Sequence, residues 1–289
     1  MSLSEAVMRE PGGGSRVADW IPAAGARVLG VTHLPEGPAT AGVVVCPALF
    51  AERSANRRAE VLLAHRLTEL GIGVLRFDYR GTGNSEGDAR QLTLDAARDD
   101  CLAAAQRLRE RAEVEVIGLL GTRFGALVAA SAAEGSEARA LALWEPKADA
   151  EEYFEELLQT RAFHRLWHRG RRDDDAVEPR LDAARAIDMP GWRIEPTLLR
   201  SSLGRSVAGE LGPTPPPTRL VHASGSRRDG ERLRDRLINL GARVDASVLE
   251  GWATWWWTPN RLMDPAAQPP ALEAAVPDTA AWFVERLAA

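Results

Sequence analysis

Leu119-Leu120-Gly121-Thr122-Arg123-Phe124-Gly125-Ala126 joins an apolar run at 114–120 to an alanine-rich stretch at 126–134. The run carries apolar side chains on successive residues, as a strand buried on both faces does. The alanines behind it suit a helix. Two glycines bracket the joint. Glycine has no Cβ, so this spacing lets strand and helix approach closely while the residue between them is held in a strained conformation. Residue 123 stands at the tip of that turn, and it is arginine.

Outward from this joint the same alternation continues. Strand-like runs at 27–32, 42–46, 74–78 and 140–144 are interleaved with helical spacing at 56–70, which stops at Gly71, and at 94–108. After residue 145 the pattern breaks. Residues 146–217 are charged, irregular and rich in Trp, Arg and Pro, and read as a cap-like insertion over the C-terminal edge of the sheet. A strand at 219–223, a helix at 230–240, a strand at 243–249 and a helix at 278–287 resume it. Alternation of this kind predicts an α/β fold, a mostly parallel sheet with helices on both faces. The expected layout is a flexible arm at 1–16, a core from 17–145 and 218–289, and the insertion at 146–217.

The bulk numbers fit one such domain. The chain has 289 residues, 45% hydrophobic and 27% charged, with a formal net charge of −5, which gives no support to nucleic-acid or anionic-membrane partners. The two cysteines, Cys46 and Cys101, sit in apolar patterns and read as small core residues suited to a reducing cytoplasm. No apolar run approaches the ~18 residues that span a bilayer, and no leader pattern opens the chain. A cytoplasmic location, no metal and no cofactor are the expectations.

Two motifs carry a resemblance. Asp78-Tyr79-Arg80-Gly81-Thr82-Gly83-Asn84-Ser85 is similar to the D-x-R-G-x-G-x-S segment of α/β-hydrolases, and 121–125 has the frame of their nucleophile elbow, G-x-S-x-G. Within that superfamily the chain resembles the type 2 hydrolases associated with exosortase A systems. The resembling pieces are Cys46-Pro47-Ala48-Leu49-Phe50-Ala51-Glu52, Leu143-Trp144-Glu145-Pro146, Ile187-Asp188-Met189-Pro190-Gly191-Trp192 and the segment 251–258. The resemblance implies the fold; it does not supply an activity.

A serine hydrolase needs a nucleophile, an imidazole to take its proton and a carboxylate to orient the imidazole. Here the elbow holds Arg123, a guanidinium that stays protonated and cannot attack a carbonyl. Asp229 follows the strand ending near residue 223 and fills the acid position only if the backbone is displaced. No histidine occurs after His222, and Gly251-Trp252-Ala253-Thr254-Trp255-Trp256-Trp257 stands where the catalytic histidine belongs. His164 and His168, four apart, share a face if 151–169 is helical, yet lack partners at metal-site spacing. The catalytic candidates are therefore Arg123, Asp229 and His222 alone.

An elbow sits at a helix N-terminus, where free N–H groups favour an anion. A guanidinium added there either grips a ligand carboxylate, phosphate or acyl oxygen, or pairs internally with Glu52 or Glu145 and plugs the site. The sequence leaves both open. Ligand contacts are expected from Arg123, Phe124, Leu49, Phe50, Glu52, Trp252, Thr254 and Trp255. Three functions follow. The first is a pocket binding an acyl or anionic small molecule with non-hydrolytic or no chemistry. The second is an esterase, thioesterase or acyltransferase with a rearranged site using Asp229 and His222. The third is a pseudoenzyme subunit, a homodimer or partner of another protein, with the Trp-rich surface as interface.

Overall fold

A computed structural model describes residues 6–9, 14–169, 181–189, 191–223, 227–250 and 270–288. Its sheet is built from β1 (Ala6–Arg9), β2 (Ser15–Ala23), β3 (Ala26–Leu34), β4 (Ala41–Cys46), β5 (Ile72–Phe77), β6 (Ile117–Thr122), β7 (Ala140–Trp144), β10 (Thr218–Ala223) and β11 (Val244–Leu249). The order is β1-β2-β3-β5-β4-β6-β7-β10-β11. Pairing is antiparallel from β1 to β5 and parallel from there to β11. The mostly parallel sheet expected from the sequence is present, with a meander on one edge.

The central strands are buried on both faces, and their period of two sorts them between two cores. Val43 and Val45 of β4 face one core with Ala59, Leu63 and Leu67 of α1 (Phe50–Glu69) and Phe283 of α8 (Pro270–Leu287). Val44 and Cys46 face the other, with Cys101 and Leu108 of α2 (Leu94–Ala112) and Phe124 and Leu127 of α3 (Phe124–Ala132). α7 (Arg227–Asn239) joins β10 to β11.

Between β7 and β10 the chain forms α4 (Ala150–Arg169), a hairpin of β8 (Ile187–Met189) and β9 (Trp192–Ile194), α5 (Pro196–Ser202) and α6 (Val207–Glu210). Phe154, Leu157, Leu198, Leu199 and Val207 share one apolar cluster with Phe124 and Leu127. This segment is thus more regular than its composition suggested, and it packs on the same core as α3.

The arm expected at 1–16 is also partly ordered. Ala6–Arg9 pairs with 15–18 as an antiparallel strand four residues long, too short to stand out in the sequence. α1 begins at Phe50, six residues before the expected start, because its first turn has no side-chain cap and buries Glu52, a residue that hides the helical period. Among the described residues no helix is long and apolar enough to cross a membrane.

Candidate functional site

The β6–α3 joint has the geometry its glycines predict. A Cβ on Gly121 would lie 2.4 Å from the Gly125 carbonyl oxygen, and one on Gly125 would lie 2.1 Å from that of Cys46. Only hydrogen fits at either place. Arg123 between them has φ 55° and ψ −118°, a costly conformation for a residue with a side chain. Its N–H donates to the Trp144 carbonyl at 3.0 Å, which ties the turn to the neighbouring strand.

The Arg123 side chain is 1% exposed and turns inward. Nε donates to Glu52 Oε1 at 3.0 Å and Nη1 to the Glu145 carbonyl at 3.3 Å. Nη2 lies 3.3 Å from Glu156 Oε1. The Tyr153 ring covers the guanidinium, its centroid 5.7 Å from Cζ, and the Tyr153 hydroxyl donates to Glu52 Oε2 at 3.0 Å. Glu156 also holds Lys147, the chain's one lysine, at 2.6 Å, and Lys147 reaches Asp229 Oδ2 at 3.2 Å. The buried Glu145 carboxylate accepts from the Ala223 N–H.

Electrostatics follow from this enclosure. Burial pulls the Arg123 pKa down, but Glu52, Glu156 and Glu145 outweigh it and hold the guanidinium above its ordinary value. Burial pushes the Glu52 carboxyl up, and the Arg123 charge offsets this only in part. Buried pairs of this kind are bound tightly to their own geometry, and removing one partner strands the other.

His222 and Asp229 do not form a dyad. His222 is buried, and among the described residues neither of its ring nitrogens has a hydrogen-bond partner. A Cβ on Gly230 would lie 2.5 Å from His222 Cδ2, so the ring is packed directly under α7. Burial, helped by Lys147, lowers its pKa to about 4. Asp229 instead accepts from Lys147 and from Arg232 at 3.0 Å. Burial raises its pKa, and those two cations more than reverse the effect.

Leu49 and Phe50 lie on a cavity of about 390 Å³ between the start of α1, the loop 78–83 and the β9–α5 segment. Arg123 and Phe124 do not line it. Phe124 is instead buried among Tyr153 and Phe154, with centroids 5.4 and 6.0 Å away. The structure thus brings Arg123, Phe124 and Glu52 together and sets Leu49 and Phe50 on a neighbouring cavity. Trp252, Thr254, Trp255 and the side chains of His164 and His168 lie outside the described residues. Sequence reasoning missed Tyr153, Glu156 and Lys147. A signal was available, since Tyr153 and Glu156 are three apart on one face of a helix.

A family model described as serine aminopeptidase, S33, matches residues 39–175, which is less than half of the chain. No curated protein matches the sequence. Among solved structures the chain is similar to Est1E from Butyrivibrio proteoclasticus with ferulic acid bound, at 16% identity and TM-score 0.70, covering 94% of this chain and 100% of that one. It is similar to a dienelactone hydrolase from Anabaena variabilis at 14% identity and TM-score 0.59, covering 95% and 99%. A lidless α/β serine hydrolase from Xanthomonas campestris matches at 20% identity and TM-score 0.56, covering 96% and 97%. The chain has the α/β-hydrolase fold.

Proposed function

We propose that this protein is a non-hydrolytic relative of the α/β-hydrolases, with Arg123 closing the elbow from inside and small-molecule binding as its remaining capacity. The observation that carries this reading is the enclosure of Arg123. Glu52 and the Glu145 carbonyl accept hydrogen bonds from Nε and Nη1, and Glu156 forms an ion pair with Nη2. A guanidinium so committed has no reason to grip a ligand anion, which favours the internal plug over the ligand contact. On this reading the segment after β7 acts as a cap, because α4 supplies Tyr153 and Glu156 to the plug.

The esterase alternative requires an imidazole that takes a proton from a nucleophile. His222, at the end of β10, is the candidate imidazole, and its low pKa makes it a poor base. Similarity to esterases under one-quarter identity bears on fold, and fold does not fix chemistry. The neighbourhood of an exosortase system, implied only by the resemblance in 42–258, adds no substrate.

The test is turnover by the purified full chain of short-chain nitrophenyl esters and aminoacyl nitroanilides. The expected result is release at the rate of protein-free buffer. Saturable turnover that survives repurification would overturn the proposal.

A further inference from the structure

The cavity beside Phe50 is separate from the elbow, and its walls specify a ligand class. Its volume of about 390 Å³ falls in the range of small-molecule sites, roughly 300–1,000 Å³. Phe50 and Trp192 stack at its edge, centroids 4.2 Å apart and planes 14° from parallel. Both rings are half-buried, so each keeps surface for a guest. Phe50 holds its place at φ 57°, a rare conformation for a bulky aromatic and one that a packing role has to offset. The floor is apolar: Leu49, Leu92 and Leu198 are buried there.

The charged groups around the cavity are already engaged. Arg53 donates to Asp78 Oδ1 from Nε at 3.2 Å and from Nη2 at 3.0 Å, and pairs with Glu60 at 2.6 Å. Arg193 pairs with Asp188 at 2.7 Å. Glu195 adds negative charge at the rim, within the electrostatic reach of Arg193 and Arg90. The Tyr79 hydroxyl is spent on the Pro47 carbonyl at 3.1 Å and that of Thr82 on the Tyr79 carbonyl at 2.8 Å. An entering carboxylate or phosphate would meet cations already paired with carboxylates of the chain. A flat uncharged ring would lose little and gain aromatic contact.

We infer that this cavity binds a neutral planar aromatic molecule, held against Phe50 and Trp192 over an apolar floor. The inference is independent of whether the elbow performs chemistry, so ester turnover would refute the proposed function and leave this one standing. The test is calorimetric titration of the full chain with naphthalenemethanol and with naphthoate, an uncharged and an anionic guest of similar shape. Naphthalenemethanol is expected to bind, with naphthoate at least about tenfold weaker. Two variants place the guest. Phe50→Gly keeps the left-handed backbone while deleting the ring, and Ala89→Trp fills the mouth from an exposed position on the lining. Each is expected to weaken naphthalenemethanol at least about tenfold with the melting temperature retained, and one folded variant suffices. The inference is overturned if naphthoate binds as well as naphthalenemethanol. It is overturned equally if the folded variants bind like the parent, or if naphthalenemethanol gives no binding up to its solubility.

Discussion

Without its side chain, Arg123 would leave the buried carboxylate of Glu52 facing a dry space, while Glu156 would keep Lys147. Arg123→Met is therefore expected to cost about 3–5 kcal/mol, the usual penalty for breaking a buried pair from one side. Adding Glu52→Gln to that variant removes one stranded charge and should recover part of the loss, which urea unfolding of the single and double variants would show. His222 gives a second residue-scale prediction. Burial lowers it to about 4 and lowers His33, beside Arg76, to about 3, from an ordinary value of 6.5. Both shifts are downward, so the folded chain holds fewer protons than the unfolded one between these values and 6.5. Their stabilising contribution is complete above that pH and is lost as pH falls. Each histidine should remove about 1.4 kcal/mol per pH unit below roughly pH 6. Unfolding free energies measured between about pH 7 and 5 should show this slope, and His222→Leu should make it shallower.

At the scale of elements, the joint between β6 and α3 tolerates little change. Gly125→Ala would drive a methyl group to 2.1 Å from one backbone carbonyl and 2.6 Å from a second, that of Pro47. Backbone cannot swing aside as a side chain does, so a loss of about 3 kcal/mol is expected by denaturant titration. This joint was legible in the sequence because its constraint is written in residue types, two glycines around one strained position. β7 was legible to the residue, since an apolar run between a charged turn and Glu145 admits one reading. α1 and α4 were not. Their buried faces carry Glu52, Asn56 and Glu60 on one and Tyr153 on the other, and polar residues buried against partners break the apolar period. Sequence patterning reports what is apolar. It does not report which charges meet, and that is why Glu52 was recognised as a partner for Arg123 and Glu156 was not.

Over the whole molecule, the sheet order and the two-sided core are those of the α/β-hydrolase fold, and the elbow position carries Arg123. Est1E, a dienelactone hydrolase and an α/β serine hydrolase, at 14–20% identity, share the scaffold with this chain. What a scaffold does is set by the groups presented on it. Here the site-level evidence is an arginine held by Glu52, Glu145 and Glu156, and a buried histidine that Asp229 does not orient. Reversion makes the point experimentally. On the proposed function Arg123→Ser alone is expected to give no esterase activity, since that reading also lacks an imidazole partner, and robust turnover of nitrophenyl butyrate by that variant would show a catalytic base and refute it. The closure of the elbow is tested most directly by exposing the native protein to a fluorophosphonate and weighing it intact. A closed, serine-free elbow predicts an unchanged mass. A stoichiometric phosphonate adduct would contradict it, since that requires an activated nucleophile.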